Sequence, residues 1–178
     1  MRGYWSALPD EWRIRPDPRT RLALLIAPYC MSLFPDMVDD LKWALYEEGT
    51  TVLMETGAGF AGPGTFREHQ HWLRERLDVH IAGRVDLWAD LWASSTSARI
   101  PYIEFTWPRR TRIRDFSRVV VPADQPGEII ARAGDVPVAF RRKVGKGTLI
   151  YLGSPVGPAL WAGDVEARRW LYAVALAA

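Results

Sequence analysis

The feature that most constrains the fold is an uninterrupted apolar run, Leu-Ala-Leu-Leu-Ile-Ala, over residues 22–27. A strand with one solvated face alternates polar and apolar residues, whereas a continuous run is typical of a strand buried on both faces of its sheet. Sheets buried in this way are mostly parallel, with helices covering both faces. The run therefore predicts an α/β fold.

The residues after this run have the pattern of a crossover helix followed by a second strand. Pro35 suits the first turn of a helix, and Gly49 is typical of the left-handed residue that ends one. Thr51–Thr56 then has the composition of a strand, and strands joined by a helical crossover are nearly always parallel. We therefore predict a strand, helix, strand and glycine-turn unit from Leu22 to Phe60, with no recognisable catalytic nucleophile.

The second half of the chain contains short β segments and a final helix. The predicted β segments are Tyr102–Trp107, Arg118–Val121, Ile129–Arg132, Val136–Val144 and Thr148–Leu152. Gly134-Asp135 suits a hairpin turn, and Asp164 can cap a helix from Val165 to Leu176. Residues 79–100 have no clear pattern. We expect a three-layer, mostly parallel flavodoxin-like sheet with helices on both faces and a β-hairpin extension.

Composition sets the size and surroundings of this fold. The chain has 178 residues, of which 48% are hydrophobic and 25% are charged, as expected for one globular domain. Residues 1–20 are rich in Pro, Arg and Trp and are interpreted as an N-terminal arm, which leaves 21–178 as the domain. The formal charge of +2 does not call for nucleic acid or an anionic membrane as a partner.

Cysteine content and the lengths of the apolar runs bear on location. Cys30 is the single cysteine, so neither an intramolecular disulfide nor a cysteine-based zinc cluster can form. The longest apolar run, Leu22–Pro28, is too short to cross a bilayer. We therefore expect a cytoplasmic protein.

The order of the segments resembles a known superfamily. The matching pieces are Ile26-Ala27-Pro28, a helix, Glu48–Leu53, Gly57–Phe60 and the late segment Val144–Gly153. Together they resemble the class I glutamine amidotransferase-like superfamily, specifically its non-catalytic branch, and in particular the trimerisation domains of family 42 β-galactosidases. The resemblance implies that residues 21–178 form a single amidotransferase-like domain.

Active members of that superfamily carry a cysteine at the turn after a strand and a histidine near the last strand. Here the turn Glu55–Gly59 has neither Cys nor Ser, and Ser154–Pro158 has no His. The resemblance therefore implies a fold without glutaminase chemistry. It implies a role in oligomerisation, as a homo-oligomer or beside a larger enzyme partner, or as an accessory or ligand-binding module linked to carbohydrate metabolism.

An enzymatic alternative stays open. Cys30 and Glu55 follow or end the first two predicted strands, at the edge where open α/β sheets bind ligands. A hydrolase or amidase with an atypical site around Cys30 and Glu55, assisted by a histidine, is the alternative to a non-catalytic role. Glu104 could serve with Glu55 as an acid and base pair, although structural carboxylates are the more common case.

Gly57 and Gly59, together with Glu55 and Ser154, are the candidate ligand-binding residues, for a small molecule or a sugar. Glycines before a helix can present backbone N–H groups to an anion, but their spacing here matches neither a dinucleotide-binding nor a Walker motif. We predict no cofactor. We also predict no metal site, because His69 and His71 are two residues apart and would point away from each other on a helix.

Two further compositional features point to surfaces. Arg109, Arg110, Arg112 and Arg114 form a basic stretch that is interpreted as a solvated strand or the salt-bridge rim of an oligomer rather than a nucleic-acid site. The chain has nine tryptophans, more than one small core readily buries. Some of these tryptophans are expected to face a partner or a ligand: Trp5, Trp12, Trp88, Trp92 and Trp161.

Overall fold

The computed structural model describes residues 22–30, 35–56, 74–75, 77–80, 85–86, 101–116, 119–120 and 127–178. The strands in these ranges are β1 (Leu24–Cys30), β2 (Thr51–Thr56), β3 (Val85–Asp86), β4 (Tyr102–Phe105), β5 (Thr111–Arg114), β6 (Val119–Val120), β7 (Glu128–Ala133), β8 (Val136–Val144) and β9 (Gly147–Leu152). The helices are α1 (Pro35–Trp43), which continues as a π-helical turn over Ala44–Glu48, α2 (Gly157–Trp161) and α3 (Val165–Ala177). The predicted N-terminal arm and the glycine turn with Gly57 and Gly59 lie outside the described residues.

The predicted strand, helix and strand at the start of the domain are confirmed. β1 and β2 run parallel, with Leu24 opposite Thr51 and Ala27 opposite Met54. Gly49 ends the intervening helix with φ of 73°, a left-handed conformation that costs glycine little, and its N–H donates to Ala44 O.

The main sheet has seven strands in the order β1-β2-β9-β8-β7-β4-β5. Only the pairings β1–β2 and β2–β9 are parallel; the other four are antiparallel. The prediction of a mostly parallel, flavodoxin-like sheet is therefore not confirmed, and the sheet is mixed. β3 and β6 form a separate antiparallel pair.

Hairpin turns explain why the antiparallel part dominates. Gly134-Asp135 joins β7 to β8, as predicted, and Gly145-Lys146 joins β8 to β9. β8 pairs with β9 from Ala139 to Val144, so the predicted hairpin extension is continuous with the parallel strands and belongs to the main sheet. Two-residue connections allow only antiparallel neighbours, whereas a parallel neighbour needs a crossover.

Helices pack against the sheet on both of its faces. On one face, Leu41 and Leu45 pack with Val52, Met54 and Tyr151. On the other face, α3 contributes a core that includes these residues: Ala167, Trp170, Val174, Leu53, Ile150 and Leu152. In the described ranges no helix has the length and apolarity needed to span a membrane.

The sheet curls around α3. Phe105 on β4 lies with its ring centroid 4.5 Å from that of Trp170, and Ile113 on β5 belongs to the same core cluster. The indole N–H of Trp170 donates to Trp107 O at 2.8 Å. Strands that are several positions apart in the sheet order therefore enclose one helix.

Candidate functional site

The carboxyl ends of the parallel strands bring the sequence candidates to one edge of the sheet. Cys30 pairs with Thr56 across β1 and β2, and Glu55 pairs with Leu152 across β2 and β9. Ser154 follows the end of β9 by two residues. β1, β2 and β9 are parallel neighbours, so their carboxyl ends lie on the same side of the sheet.

Glu55 is buried at this edge, with 4% of its surface exposed. Its Oε1 accepts the backbone N–H of Val156 at 2.8 Å and that of Gly157 at 3.1 Å. These amides belong to Val156, which directly precedes α2, and to Gly157, its first residue; neither has a carbonyl partner within the helix. A buried carboxylate is costly unless it is hydrogen-bonded, and these two donors supply that compensation.

Gly157 leaves the room that this carboxylate occupies. A Cβ at position 157 would lie 3.3 Å from Glu55 Oε2, closer than most side-chain contacts. The sequence singled out the segment from Ser154 to Pro158 because it lacks a histidine and because Ser154 is a candidate ligand-binding residue. In the structure, this segment presents two backbone N–H donors to Glu55.

Ser154 is also buried and also engaged within the protein. Its Oγ donates to Asp115 Oδ1 at 2.8 Å, and the two residues are 4% and 1% exposed. Asp115 follows β5, at the far end of the sheet order, and its own N–H donates to Pro101 O at 3.0 Å. The contact therefore joins the end of β9 to the end of β5 across the curled sheet.

Sequence reasoning missed Asp115, Val156 and Gly157 as members of this edge. Asp115 directly follows the basic stretch that ends at Arg114, and no motif around it indicates a contact with β9. No sequence pattern indicates that a residue after β5 reaches β9, because the contact depends on the curl of the whole sheet.

The proposed pairing of Glu55 with Glu104 as an acid and a base is wrong. β9, β8 and β7 separate β2 from β4 in the sheet. Glu104 alternates with the buried residues Ile103 and Phe105, so it lies on the opposite face of β4 from the core. There it forms an ion pair with Arg112, with 3.4 Å between Oε1 and Nε.

The structure describes only some of the other candidate residues. Cys30 has a described backbone in β1, whereas Gly57, Gly59, His69 and His71 lie outside the described residues. His80 is exposed and lies 3.1 Å from Asp78. Within the described ranges, no group of three or more His, Cys, Asp or Glu side chains is arranged to hold a metal ion.

Three arginines of the basic stretch make contacts within the chain. Arg112 lies over the ring of Tyr102 at 4.9 Å, and Arg114 lies over that of Phe116 at 4.8 Å. Arg109 pairs with Glu166 at 3.2 Å. These contacts lie within one chain, so a salt-bridge rim between chains stays a prediction.

Glu166 lies on the surface of α3, where several side chains donate hydrogen bonds to its carboxylate or pair with it. Thr111 Oγ1 donates to its Oε2 at 2.6 Å, and Arg169 Nη1 lies 2.8 Å from its Oε1. The hydrogen bond from Thr111, followed by that from Arg169, lowers the pKa of Glu166, and the charge of Arg109 acts in the same direction. The cluster ties α3 to the β4–β5 hairpin.

Comparison with known proteins identifies relatives in fold but no family. No protein-family model matches the chain, and no curated protein matches it. Support for the amidotransferase-like superfamily is therefore absent at the family level, and that part of the resemblance stays a prediction.

Solved structures do match. The exo-β-1,4-mannosidase Op5Man5 from Opitutaceae bacterium strain TAV5 aligns with 83% of this chain at 16% identity and a TM-score of 0.53. A β-galactosidase from the Antarctic haloarchaeon Halorubrum lacusprofundi aligns with 88% at 17% identity and a TM-score of 0.53. One from Bacillus circulans sp. alkalophilus aligns with 75% at 15% identity and a TM-score of 0.51.

These likenesses concern fold and a limited part of each relative. The chain spans 24%, 23% and 20% of those three proteins. At such low identity the match shows a shared fold alone. The fold is similar to part of β-galactosidases, in agreement with that portion of the resemblance drawn from the sequence.

Proposed function

We propose that this chain is a non-catalytic accessory domain of a carbohydrate-active protein and acts through contact with another chain. The observation that carries the proposal is the engagement of Glu55, whose Oε1 accepts two backbone N–H groups at the β9–α2 junction. Glu55, the catalytic candidate at the sheet edge, therefore has a structural role.

A general acid or base has to reach the proton that it transfers, within hydrogen-bond distance of a bound substrate. Glu55 is 4% exposed and points into the protein toward the start of α2. Ser154 is equally buried and donates to Asp115. Neither geometry favours a reaction with an external molecule.

A glycosidase commonly needs two carboxylates on either side of the scissile bond, roughly 5–10 Å apart. Glu104, the second carboxylate considered, lies on the outer face of β4 and pairs with Arg112. This arrangement argues against glycosidase chemistry between Glu55 and Glu104.

The fold comparisons support the link to carbohydrates. The matching relatives are a mannosidase and β-galactosidases, and this chain corresponds to a quarter or less of each. A domain of that fractional size fits an accessory part better than a complete hydrolase. The resemblance to β-galactosidase trimerisation domains supports assembly as the accessory role.

The proposal is tested by assaying the purified chain against aryl β-galactosides, aryl β-mannosides and glutamine, beside a heat-denatured sample. We expect no turnover above that background from the wild type, from Glu55→Gln or from Cys30→Ser. Turnover by the wild type that either substitution abolishes, in a variant that keeps its circular dichroism spectrum, would establish the hydrolase or amidase alternative instead.

A further inference from the structure

Strand β5 lies at an edge of the main sheet. It is last in the strand order and, among the described strands, pairs with β4 alone. Asp115 N–H donates to Pro101 O, and the residues of an antiparallel strand point their backbone groups alternately toward and away from a neighbour. Ile113 therefore also faces β4, whereas the N–H and C=O groups of Arg112 and Arg114 point outward.

The neighbouring strand gives the same assignment. Thr106 N–H donates to Ile130 O on β7, so Glu104, two residues earlier, also points its backbone groups toward β7. Glu104 is the register partner of Arg112, and the two therefore share no backbone hydrogen bonds. Among the described residues, no backbone group bonds to the outward N–H and C=O groups of Arg112 and Arg114. The edge thus presents two donors and two acceptors in the spacing of a strand.

The side chains along this edge are cationic. Arg112 and Arg114 lie on the same face of β5, roughly 7 Å apart, because strand side chains alternate between faces and rise about 3.4 Å per residue. Arg110, which directly precedes β5, is exposed. Arg112 is 66% exposed, and Glu104 lies 3.4 Å from its Nε. Three arginines thus accompany one described carboxylate on this edge.

Arg114 has no charged partner among the described residues. It lies over the ring of Phe116 at 4.8 Å, and its Nε is buried without a hydrogen-bond partner. The adjacent Asp115 is buried and accepts the hydroxyl of Ser154. Because a partly buried guanidinium is costly unless it is paired, a carboxylate supplied by another molecule would be stabilised here.

A second copy of this chain does not suit the edge. An antiparallel pair of β5 strands sets the outward arginines of one copy opposite those of the other, and like charges in that position are destabilising. A nucleic acid suits it poorly, because phosphate oxygens accept hydrogen bonds and leave the outward C=O groups of Arg112 and Arg114 without donors. An extended polypeptide offers both donors and acceptors, and acidic side chains on it would face the guanidinium groups.

We propose that the outer edge of β5 binds an extended acidic segment of a partner protein, which joins the sheet as a further strand and places carboxylates beside Arg112 and Arg114. Charged residues on an edge strand disfavour pairing with other edges, so they select a partner of opposite charge. The proposal rests on the proposed function in one respect, that the chain acts through contact with another chain. It adds the chemistry of that contact.

The probe is a short capped peptide that alternates glutamate with valine, carries a fluorescent label and is titrated with the full chain at low salt. We expect fluorescence anisotropy to give a dissociation constant on the order of 100 µM or tighter. The same peptide with lysine in place of glutamate should not bind, because its charges then match those of the arginines.

Backbone N-methylation of the peptide separates strand addition from attraction between charges alone. The N–H groups of the glutamates face β5 when their side chains lie beside the arginines, so methylating them should weaken binding at least about tenfold. Methylating the valines, whose N–H groups point away from β5, should leave the dissociation constant within about threefold. Both methylated peptides keep the charge of the parent peptide.

Arg112→Glu tests the charge on the protein. The side chain is 66% exposed, so the variant should keep its circular dichroism spectrum while the dissociation constant rises at least about tenfold. Lys143→Glu is the matched control, with the same change of charge at an exposed position of β8. β7 and β4 lie between that strand and β5, so its dissociation constant should stay within about twofold of the wild type.

No binding of the glutamate peptide up to about 1 mM would overturn the proposal. Equal losses in Arg112→Glu and Lys143→Glu, or equal effects of the two methylations, would also overturn it. Tighter binding of a single-stranded oligonucleotide than of the glutamate peptide would contradict the choice of a polypeptide partner. Hydrolytic activity contradicts the accessory function whether or not the peptide binds, whereas an inactive chain that binds no peptide contradicts the proposal for β5 alone.

Discussion

Glu55 Oε1 accepts the backbone N–H of Val156 at 2.8 Å, across 101 positions of sequence. The contact joins the end of β2 to the start of α2, beside the parallel pair β2–β9. A side chain that the sequence presents as a catalytic candidate therefore holds the sheet edge together.

Replacing Glu55 should cost stability. In Glu55→Ala, the N–H groups of Val156 and Gly157 lose their acceptor in a buried place, so we expect the free energy of unfolding to fall by about 2–3 kcal/mol. Glu55→Gln keeps an acceptor oxygen but not the charge, so a loss of about 1 kcal/mol is expected. Urea denaturation measures both.

The matched control for this series is Glu104→Gln, on an exposed carboxylate. It should change the unfolding free energy by no more than about 0.5 kcal/mol. Equal effects at positions 55 and 104 would mean that the buried contacts of Glu55 do not stabilise the fold.

The hydrogen bond between Ser154 and Asp115 should stabilise the curl of the sheet. Ser154→Ala removes the donor to a buried carboxylate oxygen, and we expect a loss of about 1–2 kcal/mol in unfolding free energy. A double-mutant cycle with Asp115→Asn should give a coupling energy of at least about 0.5 kcal/mol. Additive single effects would show that the contact contributes nothing.

Two hairpin glycines with the same backbone conformation should respond differently to alanine. Gly134 and Gly145 both have φ of 57°, but a Cβ at Gly134 would meet nothing within 4 Å, whereas one at Gly145 would lie 2.7 Å from Tyr46. Gly134→Ala should cost about 1–2 kcal/mol, the penalty for a left-handed alanine.

Gly145→Ala should cost about 1–3 kcal/mol more, because Tyr46 has to move. Thermal or urea unfolding of the two variants gives the difference directly. Similar losses at both positions would argue that the β8–β9 turn does not pack against the π-helical turn.

The carboxylate of Glu166 provides a pH-dependent contact between α3 and β5. Its pKa is lowered in the folded state, mainly by the hydrogen bond from Thr111, so its contribution to stability is present above the ordinary carboxylate pKa. That contribution is lost as the pH falls through the lowered value. Thr111→Val should raise the pKa of Glu166, as followed by carbon-13 NMR titration.

Arg109→Gln is the comparison for this titration. The charge of Arg109 ranks below the Thr111 hydrogen bond among the causes, so removing it should raise the pKa of Glu166 by less than Thr111→Val does. A larger effect of Arg109→Gln would reverse the assignment of the dominant cause.

Features that depend on neighbouring residues could be predicted from the sequence. The run at residues 22–27 predicted a strand in a parallel sheet, and β1 does pair in parallel with β2. The predicted burial of both faces is not met, because β1 is the edge strand of the sheet and Ile26 is 41% exposed. Asp164 was predicted to cap the last helix, and its Oδ1 accepts the N–H groups of Glu166 and Ala167. Such signals depend on neighbours within a few residues.

The order of the strands and the long-range contacts could not be predicted from the sequence in this way. The predicted β segments coincide with strands, although β5 was not among them. Their antiparallel incorporation into the main sheet depends on β8 pairing with β9, which the hairpin pattern leaves open. The partners of Glu55 and Ser154 depend on the later path of the chain and on sheet curvature. Trp161 was among the tryptophans expected to face a partner or a ligand, and its side chain is 94% exposed.

The most direct test of whether Glu55 is structural is hydrogen exchange at the amides of Val156 and Gly157, measured by NMR in the wild type and in Glu55→Ala. We predict slow exchange at both amides in the wild type and a marked acceleration in the variant, beyond that of core amides in β9. Rapid exchange at both amides in the wild type would contradict this role and leave the carboxylate available for chemistry.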